Sequence, residues 1–270
     1  MTEFVKLSGN GNDFIAIDNR AGVLSENKIP QFAREYCRRH YSLGADGLLL
    51  LENKENKYLM RYFNRDGSEG ELCGNGARCF ARYLKFLKLI DDKTEFLTRS
   101  GLVSAYLKDS VVGIRLSDVS LKSFLLDHSL YLNETRYQYN YVKVGVPHCV
   151  IFLNGGSLNN IEEKFQVGRE IRYLEDIFPD GVNVNFVVIG GTHSIEVQTY
   201  ERGVEEITQA CGTGIIASTL VTHLLKGMES PVSATTQGGT LKTFFKKDQH
   251  KFFDIFQEGE VTLVAQGMLF

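Results

Sequence analysis

Two cysteines in this chain are followed by the same short pattern of glycines. They head the runs Cys73-Gly74-Asn75-Gly76 and Cys211-Gly212-Thr213-Gly214, and helical spacing of apolar residues follows each run. A cysteine in the first turn of a helix faces unpaired backbone N–H groups and the positive end of the helix dipole, which together stabilise a thiolate. The backbone N–H groups of each glycine turn could also bind a carboxylate.

A matched pair of such thiols indicates acid–base chemistry at a carbon atom. Removing the α-proton of an amino acid and returning it on the opposite face requires an acid on one side and a base on the other. A thiol and a thiolate supply both, and the helix N-termini could stabilise the charge that develops toward the carboxylate. A single Cys-Gly-x-Gly run is more simply a tight helix start. The occurrence of two such runs favours catalysis by Cys73 and Cys211.

The elements that position the two cysteines occur twice. Tyr62 lies 11 residues before Cys73, and Tyr200 lies 11 residues before Cys211. In both halves, strand-like runs and a helix-like run precede the cysteine, and an apolar helix follows it, so the sequence predicts a duplicated domain. We expect an α+β fold of two pseudo-symmetric domains, each a curved, mostly antiparallel sheet wrapped around a central helix, with the active site in the interdomain cleft. The predicted domains are residues 1–118 and 119–261, and the polar, irregular segment 119–141 is predicted to cross between them.

Composition and cysteine spacing limit the partners, cellular location and metal sites that we expect. The 270 residues are 43% hydrophobic and 23% charged, with a net charge of −3, which gives no reason to expect a nucleic-acid or membrane partner. The N-terminal residues lack the pattern of a secretion signal, so we expect a cytoplasmic protein. No CxxC pair has a partner pair, so no metal site is predicted. Of the five cysteines, Cys37, Cys79 and Cys149 are expected to be buried apolar residues.

Six motifs along the chain resemble the diaminopimelate epimerase family. In chain order they are Gly11-Asn12-Asp13-Phe14, Asn64-Arg65-Asp66-Gly67-Ser68, Cys73-Gly74-Asn75-Gly76-Ala77-Arg78, Gly145-Val146-Pro147-His148, Asn183 after Phe178-Pro179, and Glu201-Arg202-Gly203 before Ala210-Cys211-Gly212-Thr213-Gly214. They extend over essentially the full length. Enzymes of this family interconvert L,L- and meso-2,6-diaminoheptanedioate in lysine and peptidoglycan biosynthesis, without pyridoxal phosphate, metal or nucleotide.

The resemblance implies roles for individual residues. Cys73 and Cys211 match the two acid/base residues, and His148 and Glu201 match groups that tune the thiols or relay protons. The positions that match those holding the distal amino and carboxylate groups of the substrate are Asn12, Asn64, Asn183, Glu201 and Arg202. The resemblance also implies no cofactor, a homodimer, and a last strand, 262–270, that returns to the first domain.

Two departures from the family pattern concern the substrate. Val146 stands where many members have asparagine, and Gly47 stands where many have glutamine, so both changes reduce the polar groups around the distal end of the substrate. A related racemase of proline, hydroxyproline or histidine is therefore an alternative, although Arg202 would then lack a carboxylate partner. A thiol redox protein and a non-catalytic binding module are further alternatives.

Overall fold

The computed structural model describes residues 1–153 and 158–269, so Phe270 of the predicted last strand lies outside the described residues. Contacts divide the chain into two compact units, Met1–Arg115 with Glu258–Phe270, and Leu116–Gln257. The longer segment of the first unit thus ends at Arg115, whereas the sequence predicted the domain boundary at residue 118. Within residues 1–153 and 158–269, no helix combines the length and the apolar character that crossing a membrane requires.

The first unit contains two α-helices among its described residues. Its elements are β1 (Thr2–Gly9), β2 (Asn12–Asp18), α1 (Ile29–Tyr36), β3 (Gly47–Lys54), β4 (Lys57–Asn64), β5 (Glu69–Gly70), α2 (Gly74–Phe86), β6 (Lys93–Thr98), β7 (Gly101–Lys108) and β8 (Val111–Arg115). The long final strand β18 (Lys251–Leu269) adds its second part to this unit.

The sheet of the first unit is mainly antiparallel, with two parallel steps. β18 pairs with β1, and β1 with β2, in antiparallel fashion; β2 and β3 run parallel, β3 and β4 antiparallel, and β4 and β6 parallel, before antiparallel β6, β7 and β8. Helix α2 packs against strands from both ends of this series. Most of its side chains are buried, including every residue from Asn75 to Ala81. This helix forms the centre of the unit.

The apolar run Leu48–Leu51 is buried on both faces of the sheet. Leu48 and Leu50 belong to the hydrophobic cluster beneath α1. Leu49, on the opposite face, lies next to α2, where a Cβ at Gly76 would be 3.3 Å from its Cδ2. A strand covered by a helix on each side needs apolar residues at every position, which explains why β3 does not alternate.

The second unit repeats the same order of elements. They are β9 (Val119–Ser120), β10 (Phe124–Leu132), β11 (Thr135–Val144), β12 (Val146–Phe152), α3 (Ile161–Arg172), β13 (Asn183–Gly191), β14 (Ser194–Glu201), β15 (Glu206–Thr208), α4 (Gly212–Lys226), β16 (Val232–Thr236) and β17 (Gly239–Lys247), followed by the first part of β18.

Pairing in the second unit follows the pattern of the first. β11 and β12 are antiparallel, β12 and β13 parallel, β13 and β14 antiparallel, β14 and β16 parallel, and β16 and β17 antiparallel. Helix α4 occupies the position of α2, with Gly214–Thr222 buried throughout. The repeat of both parallel steps at corresponding places supports the duplication inferred from the sequence.

The segment 119–141 is not the irregular crossover that we predicted. Most of it forms the antiparallel hairpin of β10 and β11. The alternating pattern is hard to see because the register shifts between Leu125 and His128, where Asp127 has a positive φ of 59°. Such a bulge adds a residue to one strand and reverses the inward and outward positions beyond it.

The ring of Tyr62 lies between two glycines on neighbouring strands. A Cβ at Gly47, on β3, would lie 2.6 Å from Cε2 of this ring, and a Cβ at Gly70, on β5, would lie 2.7 Å from Cδ1. The absent side chains therefore leave room for the tyrosine on both of its edges. Gly47 thus not only removes a polar side chain, as predicted, but also leaves space that the Tyr62 ring fills.

The packing of this ring predicts an energetic coupling between Gly70 and Tyr62. Gly70→Ala should lower the free energy of unfolding by about 1–3 kcal/mol, because the ring must move away from the new methyl group. In a Tyr62→Ala background the same change should cost much less, and urea unfolding of the four proteins measures the difference. Equal costs in the two backgrounds would contradict the packing.

Candidate active site

Cys73 caps the N-terminus of the central helix of the first unit. Its backbone is extended, with φ −119° and ψ 118°, and its Sγ accepts a hydrogen bond from the N–H of Gly76 at 3.4 Å. A Cβ at Gly76 would lie 3.3 Å from the Cβ of Cys73, so the small residue lets the helix begin tightly against the cysteine. The sulfur therefore receives an N–H from the first turn of the helix, an arrangement that favours a thiolate.

Asn12 connects this sulfur to the first strand pair. Its side-chain nitrogen donates to Asp46 Oδ2 at 2.8 Å, so its Oδ1 must face the helix. That oxygen lies 3.6 Å from Cys73 Sγ and 3.3 Å from Asn75 Nδ2. Because Oδ1 can only accept, this contact stabilises the thiol form of Cys73, whereas the Gly76 N–H stabilises the thiolate form.

Asn75 is held in turn by a buried cation. Arg78 is completely buried in α2 and donates to Asn75 Oδ1, and also to Asn10 Oδ1 at 3.3 Å. Burial lowers the pKa of Arg78 to about 10, which still leaves the guanidinium charged at neutral pH. The first unit thus combines Asn12, Cys73 and Asn75 in one hydrogen-bonded cluster that a positive charge supports from inside.

Asn64 belongs to a neighbouring cluster at the same edge of the sheet. It ends β4, and its strand partner Gly47 begins β3, beside Phe14 of β2. Tyr62 donates to Asn64 Oδ1 at 2.5 Å, and Asn64 Nδ2 donates to Ser68 Oγ at 3.0 Å. The amide is therefore oriented by Tyr62 on its own strand and by Ser68 in the turn that follows.

Cys211 occupies the N-cap position of the central helix of the second unit, with an extended backbone like that of Cys73 but without the hydrogen bond that the Cys73 side chain accepts from a first-turn backbone N–H. It has φ −104° and ψ 106° and is 7% exposed, and its Sγ lies 3.7 Å from the hydroxyl of Thr213. A Cβ at Gly214 would lie 3.3 Å from this sulfur. Gly212 is fixed by Gln257, whose Nε2 donates to the Gly212 carbonyl at 2.9 Å.

Glu201 provides the carboxylate next to Cys211. Burial raises the pKa of Glu201, while the neighbouring side chains of Thr208 and Cys211 act in the opposite direction. The residue ends β14, where β15 pairs with it, with Glu206 opposite Glu201 and Thr208 opposite Thr199. Glu201 can therefore accept the thiol proton of Cys211, and its raised pKa brings it closer to the pKa of a thiol.

The other predicted residues of the second unit lie at the adjacent strand ends. His148 on β12 is the register partner of Asn183, the first residue of β13. Asn183 Oδ1 accepts from the backbone N–H of Arg202 at 2.8 Å, and the Arg202 guanidinium donates to the carbonyl of Asp180. The structure thus places His148, Asn183, Glu201 and Arg202 on three neighbouring strands or directly after them.

Three residues that contribute to these clusters were not predicted from the sequence. Tyr62 orients Asn64, Gln257 holds Gly212, and Asn185 contacts His148. Tyr62 had been noted only for its spacing from Cys73. Gln257 lies on a strand far from the motifs, and Asn185, although only two residues after Asn183, belongs to no motif, so no local pattern marks either residue.

The remaining cysteines differ from Cys73 and Cys211. Cys37, Cys79 and Cys149 have no exposed surface, as predicted. Burial raises the pKa of the Cys37 thiol to about 12 and raises the pKa of Cys79 and Cys149 still further. These three sulfurs are therefore thiols under ordinary conditions.

Similarity to known proteins extends along the whole chain. The model of the diaminopimelate epimerase family matches residues 4–114 and 140–264. A curated diaminopimelate epimerase from a Hydrogenobaculum species is 37% identical over 275 residues, which cover 98% of this chain and 97% of the relative. One from Methanocella arvoryzae is 38% identical over 281 residues, which cover 98% of this chain and 95% of the relative. These matches confirm the resemblance inferred from the six motifs.

Solved structures with lower sequence identity share the fold. A phenazine biosynthesis protein of the PhzF family from Bacillus anthracis superposes with a TM-score of 0.76 at 12% identity, covering 100% of this chain and 99% of that one. A probable proline racemase from Agrobacterium radiobacter gives a TM-score of 0.73 at 13% identity, covering 100% and 93%. At such identities the similarity shows the fold alone, and it confirms the predicted fold class.

The burial of the cysteines predicts their order of reaction with an alkylating reagent. Iodoacetamide in limiting amount should modify Cys73 before Cys37, Cys79 and Cys149, because Cys73 is partly exposed and the other three are buried thiols. Mass spectrometry of peptides from the native protein measures the order. A Cys73→Ser variant, as the control, should lose the fast site. Modification of Cys79 as fast as Cys73 would contradict the structure.

The raised pKa of Glu201 predicts a pH-dependent effect on stability. The folded protein holds this proton more tightly than the unfolded chain, so the group stabilises the fold fully below the ordinary value of 4.5 and the contribution is lost as the pH rises through the raised pKa. A Glu201→Gln variant does not titrate there. Relative to wild type, it should gain stability in urea unfolding as the pH rises above the ordinary value of 4.5. A difference that stays constant with pH would contradict the shift.

Proposed function

Because the chain belongs to the diaminopimelate epimerase family, we propose that it interconverts L,L- and meso-2,6-diaminoheptanedioate by moving the α-proton between two thiols. The observation that carries the mechanism is that a cysteine caps the central helix of each unit, with a hydrogen-bond acceptor beside each sulfur. Neither pyridoxal phosphate nor a metal has a role in this proposal, and the reaction serves lysine and peptidoglycan biosynthesis.

The two acceptors suggest different resting roles for the thiols. Cys73 donates to Asn12 Oδ1, an amide oxygen that cannot take a proton, so Cys73 is proposed as the acid. Cys211 lies beside Glu201, a carboxylate that can take the thiol proton, so Cys211 is proposed as the base. After one turnover the protonation states are exchanged, and the reverse reaction uses the opposite roles.

The remaining site residues are proposed to bind the substrate. The first-turn N–H groups of Gly74 and Asn75, and those of Gly212 and Thr213, suit the carboxylate at the reacting carbon, where negative charge develops as the proton leaves. Asn12, Asn64, Asn183, Glu201 and Arg202 are proposed for the distal amino and carboxylate groups. Arg202 is the residue best suited to the distal carboxylate, because a guanidinium can bind both of its oxygens.

A racemase of proline or histidine is a weaker candidate for this chain. The relatives that share its fold at 12–13% identity include a probable proline racemase, but such a match does not extend to substrate. Those substrates have no distal carboxylate, so Arg202 would have no substrate group of opposite charge to bind. A homodimer, which the family resemblance implies, and a cytoplasmic location complete the proposal.

Exchange of the α-proton with solvent tests the proposed reaction. In D2O, the wild-type protein should incorporate deuterium at the α-carbon of L,L-diaminopimelate and form the meso isomer, as NMR and chiral chromatography would show. Cys73→Ser and Cys211→Ser should each lower epimerisation by about 100-fold or more, because each removes one acid/base group. Cys79→Ala, on the same helix as Cys73, serves as the matched control and should retain activity.

Two results would contradict the proposal. Exchange with proline or histidine but not with diaminopimelate would exclude the proposed substrate. Full epimerase activity in the Cys73→Ser variant would exclude the two-thiol mechanism.

A further inference from the structure

Asn185 is a buried polar residue for which the proposed mechanism has no role. It lies on β13, two residues after Asn183, with no exposed surface. Its side chain reaches β12, where it meets His148 and the backbone carbonyl of Cys149. A Cβ at Gly214 would lie 2.3 Å from its Oδ1, so the start of α4 also depends on the position of this amide.

The orientation of the Asn185 amide is fixed from both sides. The Cys149 carbonyl, 2.9 Å away, can only accept a hydrogen bond, so the atom that faces it must be the NH2 group. On the other side, the Thr199 hydroxyl donates to Asn185 Oδ1 at 2.9 Å. A flipped amide would place Oδ1 against the carbonyl oxygens of Cys149 and Asn183 and leave the Thr199 hydroxyl facing an NH2 group.

This orientation decides which nitrogen of His148 carries the proton. Asn185 Nδ2 lies 3.2 Å from His148 Nδ1, and an NH2 group can only donate there, so Nδ1 must be the unprotonated, accepting nitrogen. Burial lowers the pKa of His148 to about 3, so the ring is neutral and its single proton resides on Nε2. Nε2 is buried, and it has no hydrogen-bond partner among residues 1–153 and 158–269.

We propose that Asn185 is a positioning residue that holds neutral His148 in the Nε2–H tautomer, so that the ring donates a hydrogen bond to an anionic acceptor and does not act as a base. The only basic lone pair of the ring, at Nδ1, is occupied by the Asn185 amide. A donor without a partner in a buried position costs free energy unless a ligand satisfies it. The acceptor class that fits is a carboxylate oxygen or a thiolate.

The tautomer is independent of the proposed function, whereas its effect on turnover rests on that function. NMR of protein labelled with 15N-histidine tests the first part directly, with a His148→Gln variant used to identify the signals. In the wild type, His148 should show a pyridine-like Nδ1 and a pyrrole-like Nε2 in long-range 1H–15N correlations. A protonated Nδ1 in the wild type would overturn the proposal, whatever the activity of the protein.

Replacement of Asn185 tests whether this residue determines the His148 tautomer. In Asn185→Asp the carboxylate can only accept, so the proton should move to Nδ1 and Nε2 should become the accepting nitrogen. Turnover of diaminopimelate should then fall by about tenfold or more, mainly in kcat, because the donor at Nε2 is lost. Asn140→Asp is the matched control, since Asn140 is also a buried asparagine that donates to a strand carbonyl, that of Val150. It should leave the His148 tautomer unchanged.

A second variant tests the same role without depending on the folding of Asn185→Asp. Thr199→Val keeps the shape of the side chain but removes the hydroxyl that holds Asn185 Oδ1, so the His148 signals should show a mixture of the two tautomers. If neither variant changed the tautomer, Asn185 would not be its cause. Unchanged NMR signals together with normal epimerisation would leave the proposed function intact and exclude only the role of Asn185.

Discussion

Both halves of the chain depend on a helix that is buried along nearly its whole length. Helices α2 and α4 have buried residues on every side, because strands of their own unit pack around them. Such a helix can present reactive groups only at its ends, and the N-terminal end carries the N–H groups that stabilise negative charge. The location of Cys73 and Cys211 follows from this constraint. Strand ends must supply the other polar groups.

The strand ends that surround each cysteine are brought together by the two parallel steps of each sheet. β2 and β3 begin at the same edge, and β4 ends there, so Phe14, Gly47 and Asn64 are register partners and Asn12 lies two residues before Phe14. In the second unit, His148 and Asn183 are neighbours for the same reason. An entirely antiparallel sheet of the same strands would place successive strand starts at opposite edges.

The features that could be predicted from the sequence are those with a local or repeated signal. Cys73 and Cys211 were found because a cysteine, a glycine turn and a helix follow one another twice. Asn185 has no such signal, since its effect depends on His148, which is 37 residues away on a parallel neighbour. The hairpin of β10 and β11 was missed because the bulge near Asp127 interrupts its alternation. The packing of Tyr62 between two glycines likewise exists only once three strands have paired.

The last strand has a consequence for the order in which the chain can fold. The second unit is one continuous segment, Leu116–Gln257, whereas the first unit consists of Met1–Arg115 and Glu258–Phe270. β1 forms its outer ladder with β18, so Thr2 pairs with Leu269 across almost the entire length of the chain. Closing so long a loop is slow and entropically costly. During synthesis, the second unit can therefore reach its native topology before the first, because β1 and β8 gain β18 as a partner only after the second unit has been made.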